Sequence, residues 1–336
     1  MPTYQELINK TDWGPPQQRE YRLAKIQEIQ NHTGRPLILY AANFIKGAQV
    51  PNNSIDDTDI TAFSDLVQEV DPPALDVILH SPGGLVESAE RIVNLLRAKF
   101  TDIRFIIPHS AYSAATLIAL SGNVILMDDR SALGPIDPQI LWQDPNTGTR
   151  YYVPTQTIID GFERAKKALK GDTDSFQAYL PMLSKLDLHL FEICRNAERL
   201  SKQLAQSWVA AYMFKGHKDA RRRGRKAAQF LSDHRHRLSH RRGITIESAQ
   251  KILNVLDMRN DSKDLKLRDL IWDLYCAVEF FIDRTDTAKF YENGYSVSWR
   301  QRFAVSQQLA IPIPIPQFPQ PSPSPQEPEK GGGKSS

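Results

Sequence analysis

Residues 75–93 read LDVILHSPGGLVESAERIV, an apolar run that passes through Ser81-Pro82-Gly83-Gly84 into a helical pattern. The run Leu75–Leu79 is short, rich in branched side chains and closed by turn residues, so it predicts a strand buried on both faces. Leu85–Phe100 carries apolar residues at helical spacing. Between them, adjacent glycines allow backbone conformations closed to other residues and let a substrate approach bare N–H groups. Such N–H groups can hold the negative oxygen of a tetrahedral intermediate. The bland reading is a structural turn, and the glycine pair alone does not exclude it.

The same alternation repeats on either side. Leu37–Ala42, Ile103–Ile107 and Asn123–Met127 read as strands; Asp56–Val70 and Ser113–Leu120 read as helices, the first with Asp56, Asp57 and Asp59 at its positive end. Strands separated by helices imply βαβ units and a mostly parallel sheet covered by helices, an α/β fold class. Residues 17–31 form an amphipathic helix. Beyond Gln139 the pattern turns helical: residues 155–170 and 174–214, broken near Gly171 and Pro181, then Thr245–Leu256 and Leu265–Arg284. From Ile311 the run IPIPIPQFPQPSPSPQ cannot build a packed core and reads as a disordered or polyproline-II tail.

A second motif, PHSAYSAATLIALSG at residues 108–122, also follows a strand. Its small residues let a helix pack closely and present its first N–H groups beside the Ser113 hydroxyl. An isolated serine there reads as an N-cap. Two such motifs on successive strands favour a nucleophile instead, with the Ala114 N–H completing an oxyanion hole.

The segments LHSPGG and SAYSAATLIALSGNVILMDDRSALGPIDPQI (residues 110–140) resemble the Clp-protease/crotonase superfamily, and within it the serine dehydrogenase proteinase family, related to signal peptide peptidase A. The resemblance is strong over residues 75–140 and weaker from 33 to 260. It implies a ββα-repeat fold with helical additions, Ser113 as nucleophile, and an oxyanion hole from Gly83 or Gly84 with Ala114. It also implies a serine peptidase acting on peptides or unfolded segments through an acyl-enzyme, self-assembly into a homo-oligomer, and no metal or organic cofactor. Residues 131–139 are expected to shape a cleft wall where a peptide pairs as an added strand. The expected division is an N-terminal helical extension (1–32), a peptidase domain with a helical C-terminal part (33–308) and the tail (309–336).

A serine hydroxyl needs a base. The Clp-type histidine about 25 residues after the serine has no counterpart in Gly134–Gln139. The signal-peptide-peptidase relatives use a lysine some 40–55 residues on, a region that here holds Lys166, Lys167 and Lys170. At about 100° per residue, Ile158, Phe162, Ala165 and Leu169 share a face; Lys166 lies at its edge and Lys167 points away, so Lys166 is the first choice. A wholly solvated role for these lysines competes, and His80, His109 and His189 remain alternatives.

Other classes of function fit less well. Net charge is +3 over 336 residues, too mild to call for nucleic acid. The basic stretch 215–243 lacks aromatic interleaving and reads as a solvated linker or oligomer contact. Asp233, His234, His236 and His240 have zinc-like spacing but sit among arginines, so a basic loop is preferred. The two cysteines, Cys194 and Cys276, suggest no disulfide framework, and no apolar run spans a bilayer, so a cytoplasmic protein is expected. Acyl-CoA chemistry would use Glu87 and Glu90. The main alternative is a catalytically silent scaffold acting through the basic stretch or the tail.

Overall fold

The expected alternation builds a seven-stranded sheet in a computed structural model that describes residues 4–9, 13–45, 50–143, 147–169, 188–233, 242–260, 262–295 and 297–303. Two helices open the chain, α1 (Tyr4–Ile8) and α2 (Pro15–Thr33). Then follow β1 (Leu37–Ala42), α3 (Thr58–Gln68), β2 (Ala74–His80), α4 (Val86–Lys99), β3 (Asp102–Ile106), β4 (Ser110–Ala111), α5 (Ala114–Leu120) and β5 (Val124–Met127). Next come β6 (Ala132–Leu133), the hairpin β7 (Gln139–Gln143) and β8 (Arg150–Pro154), α6 (Thr155–Leu169) and α7 (Leu188–Trp208), continued by a π-helical turn, Val209–Met213. The chain goes on through α8 (Ala220–Leu231), α9 (Ile246–Gln250), β9 (Val255–Asp257), α10 (Ser262–Asp283), β10 (Thr287–Asn293) and β11 (Ser298–Arg302).

The strand order is β11-β10-β1-β2-β3-β5-β9. The run from β1 to β9 is parallel, while β10 and β11 join antiparallel at the far edge. Every residue of β1 is buried, as expected where helices cover both faces of a sheet. Period-two alternation divides the strands between two cores. Tyr40, Val77, Leu79, Phe105 and Ile125 face α3, α4 and α5, whereas Leu39, Ala41, Ile78, Ile106 and Leu126 face α2 and α10. The N-terminal helix α2 belongs to this second core: Ile26 and Ile29 are fully buried, and Arg22 pairs with Glu292 of β10 at 2.7 Å.

Several expectations change after Gln139. The stretch around residues 139–154 is a hairpin with Leu141 opposite Tyr152. The 215–243 stretch is not simply a linker, because residues 220–231 form α8, which buries Gly224, Ala227, Ala228 and Leu231. The helix expected over Thr245–Leu256 stops at Gln250, and Val255–Asp257 instead pairs with β5 at the sheet edge. Gly171, Pro181, His234, His236, His240 and the tail from Ile311 lie outside the described residues. Among the described residues no helix is long and apolar enough to cross a membrane, and no cluster of potential metal ligands occurs.

Candidate active site

The strand ends β2 and β4 deliver the two sequence motifs to one place. Ser81 N–H donates to Ser110 O at 3.1 Å, and Tyr112 N–H donates to Ser81 O at 3.0 Å, so the chain beyond β2 is pinned beside the chain entering α5. A Cβ built on Gly83 would lie 2.7 Å from the Ser113 Cβ and 2.9 Å from the Ala114 amide nitrogen. Only a glycine allows the turn to approach the serine so closely, and its φ of +95° is itself glycine territory.

Ser113 does not cap the helix it precedes. It occupies the N-cap position with φ 52° and ψ −120°, and its side chain makes no capping bond. Positive φ in a residue with a Cβ is strained and persists where the surroundings impose it, commonly at functional sites. A strand-turn-helix nucleophile is held out by the same kind of sharp turn. The surroundings here are tight: all of α5 is buried, Thr116 Oγ1 lies 2.7 Å from Ala111 O, and it accepts the Gly134 N–H at 3.1 Å. Gly134 in turn leaves room for Tyr112, whose ring would meet a Cβ there at 2.4 Å.

The amides divide clearly. Gly83 is buried and its N–H donates to Ser81 Oγ at 3.2 Å. Gly84 is exposed, and its N–H takes part in none of the hydrogen bonds among the described residues. The neighbouring bonds belong to Ile55, whose N–H donates to Gly83 O and whose carbonyl accepts from Leu85 N–H, both at 2.8 Å. A Cβ on Gly84 would meet the Ile55 carbonyl oxygen at 2.2 Å. The Ala114 N–H opens α5 and so has no intrahelical acceptor; Ala115 N–H turns back to Tyr112 O at 3.0 Å. The amides of Gly84, next to Gly83 in the turn, and of Ala114, next to Ser113, are thus left without an acceptor among the described residues. Ile55, which brackets this turn, went unnoticed in the sequence because a lone apolar residue carries no motif.

The candidate bases lie elsewhere. His80 shares its strand face with Ile78, so it points toward α10, away from the α5 face. Its ring packs against Phe44, His109 and Tyr275, and its Nε2 lies 3.5 Å from Glu279 Oε1. Burial, and then the neighbouring His109, push its pKa down to about 3, so it stays neutral. His109 stacks on Tyr275 with its Nδ1 2.7 Å from Ser110 Oγ, and burial lowers its pKa as well. The apolar face drawn for α6 is present: Ala165 is buried and Phe162 packs on Phe191 with ring centroids 4.5 Å apart. Lys166 and Lys167 are both exposed, Lys170 lies outside the described residues, and His189 is exposed on α7. Glu87 is also exposed, on α4. Among the described residues, Ser113 Oγ has no hydrogen-bond partner.

The stretch expected to offer an open edge to a peptide is already paired within the chain. Ala132 N–H donates to His109 O and Gly134 N–H to Ala111 O, each at 2.7 Å, while Leu133 exchanges bonds with Ile244. Ile136 N–H donates to Leu231 O at 3.0 Å. Residues 132–136 are therefore tied to the chain entering α5 on one side and to Leu231 and Ile244 on the other.

Known proteins share this segment. Residues 55–160 match the family of ClpP-like SDH-type serine proteinases. Uncharacterized protein MJ0137 of Methanocaldococcus jannaschii is 48% identical over 66 residues, 20% of this chain and 23% of that protein. Uncharacterized protein MJ1495 of the same organism is 34% identical over 99 residues, 30% of each chain. The matches thus span less than a third of either relative. Among solved structures, a mutant of the 1510-N membrane-bound stomatin-specific protease is similar at 15% identity and TM-score 0.37, covering 64% of this chain and 79% of that one. A second mutant of that protease, in complex with a substrate peptide, is similar at 19% identity and TM-score 0.37, covering 63% and 74%. Over residues 55–160, which hold Gly83, Gly84, Ser113 and Ala114 but stop short of Lys166, the chain is similar to the ClpP-like SDH-type serine proteinases.

Proposed function

We propose that the chain is a serine peptidase in which Ser113 attacks a peptide carbonyl of an unfolded segment. The carbonyl oxygen turns toward the Gly84 and Ala114 amides, the base passes the serine proton to the departing amine as the C–N bond breaks, and water then hydrolyses the acyl-enzyme to release the acid and restore the serine. The observation that carries this reading is the conformation of Ser113: strained, uncapped, and pressed against Gly83. An N-cap serine would sit in extended backbone and bond the helix. Gly83 acts by its closeness, whereas Gly84 supplies the amide.

The base on this reading is Lys166. A lysine takes a proton from serine only where burial lowers its affinity for protons. Lys166 is exposed in the single chain, so the dyad calls for a further surface to cover α6, and assembly of copies of this chain would supply it. The second reading, a silent scaffold, is favoured by one observation, the absence of a partner for Ser113 Oγ among the described residues.

Digestion of reduced, alkylated casein separates the readings. The proposal expects fragments from the wild type, none from Ser113→Ala, and a loss in Lys166→Ala that Lys167→Ala does not share. An assembled wild type that leaves casein intact from neutral to mildly basic pH favours the scaffold.

A further inference from the structure

The loop that holds the glycine turn is itself held by a residue far beyond the matched segment. Lys289, on β10, is fully buried. Its Nζ donates to Ser54 O at 2.9 Å and to Asp59 Oδ2 at 3.0 Å, and lies 3.2 Å from Asp56 Oδ2. Tyr291, two residues along and so on the same strand face, donates its hydroxyl to the other oxygen of Asp59. Asp59 Oδ2 also accepts the Asp56 N–H at 2.7 Å. Lys289 therefore grips the chain on both sides of Ile55. Ile55 bonds Gly83 O and Leu85 N–H, with the open Gly84 amide between them.

Burying an ammonium is costly, and well-packed apolar side chains commonly serve a sheet as well or better. Nothing in the pairing of β10 with β1 requires a charge at this position, where Lys289 stands opposite Ala42. We infer that Lys289 is a positioning residue for the oxyanion hole, fixing residues 54–59 so that Ile55 holds the Gly84 amide in place. This rests on the peptidase reading and deepens it: an ion pair between β10 and α3 sets the geometry of the turn after β2.

Three variants test the inference: Lys289→Met, Tyr291→Phe, and the double Lys289→Met/Asp59→Asn, which removes the lysine together with its buried carboxylate partner and guards against a misfolded single variant. Each is confirmed folded by circular dichroism before use. For casein cleavage the inference expects kcat to fall about 10- to 100-fold in the lysine variants, as a misplacement near 1 Å costs, with KM within about twofold. Tyr291→Phe falls less. A merely structural role would lower the melting temperature and leave kcat alone below it, which would overturn the inference, as would a loss carried by KM. Hydrogen exchange supplies a readout independent of activity. Amides of Ile55 and Leu85 should exchange at least tenfold faster in the lysine variants while those of Val77–Leu79 do not. Unchanged protection at Ile55 and Leu85 overturns the inference even if the wild type cleaves nothing, the outcome that would sink the peptidase reading separately.

Discussion

Replacing Gly83 by alanine places one methyl group where the site has no room. The new Cβ would lie 2.5 Å from Tyr112 O, 2.7 Å from Ser113 Cβ and 2.9 Å from Ala114 N. Ordinary contact begins near 3.4 Å, so against Tyr112 O alone something must retreat by about 0.9 Å. All three neighbours are backbone atoms or the Cβ of Ser113, with no flexible side chain to yield. The φ of +95° adds about 1–2 kcal/mol for a residue with a Cβ. Overpacking adds about 1–3 kcal/mol, giving a total loss of roughly 2–5 kcal/mol. A shift near 1 Å in the nucleophile costs roughly 100-fold in rate, and disturbing the hole adds to it. The assay is the second-order rate of fluorophosphonate labelling, followed by intact mass, beside a urea denaturation curve. Gly34→Ala is the control: Gly34 also has positive φ, +67°, but no atom lies within 4 Å of its Cβ position. It should lose only about 1–2 kcal/mol and label at the wild-type rate. Labelling of Gly83→Ala within threefold of wild type would refute the geometry assigned to the turn.

Two further outcomes follow from the same structure. Ser113→Gly should be about 1–3 kcal/mol more stable than Ser113→Ala, because glycine tolerates the φ of 52° without strain; equal urea midpoints would contradict a strained nucleophile. His80 gives a pH dependence: its folded pKa is about 3 against 6.5 in the unfolded chain. Below pH 6.5 the unfolded chain binds a proton that the buried ring refuses, so stability falls as pH drops through that window toward 3. The slope reaches about 1.4 kcal/mol per pH unit, or about 2 kcal/mol by pH 5. His80→Gln should flatten it. Identical slopes in the two proteins would mean that Glu279, 3.5 Å away, accepts the charged ring.

The parallel half of the fold was legible because each strand is a short apolar run closed by turn residues. Leu37–Ala42 matches β1 residue for residue, and the two strand-turn-helix motifs around Ser81–Gly84 and Ser113 lie against each other. The antiparallel edge was missed, although Asn293-Gly294 is a hairpin signal: Asn293 Oδ1 accepts the Tyr295 and Val297 amides. Every residue of β10 is buried, including Lys289 and Glu292, which the fold pairs with Asp59 and Arg22. Period two could have excluded His80 as a base, once Val77 and Leu79 were assigned to the α5 face. The position of Lys166 relative to the core could not be read from periodicity, which orders residues around α6 without saying what covers them.

The central claim is that Ser113 is an activated nucleophile, and the direct measurement is the intact mass of the wild type after exposure to a fluorophosphonate, with the adduct located by peptide mapping. The account predicts one adduct, on Ser113, absent from Ser113→Ala and from protein unfolded in urea. No adduct on the folded wild type, or one that survives Ser113→Ala, would contradict it.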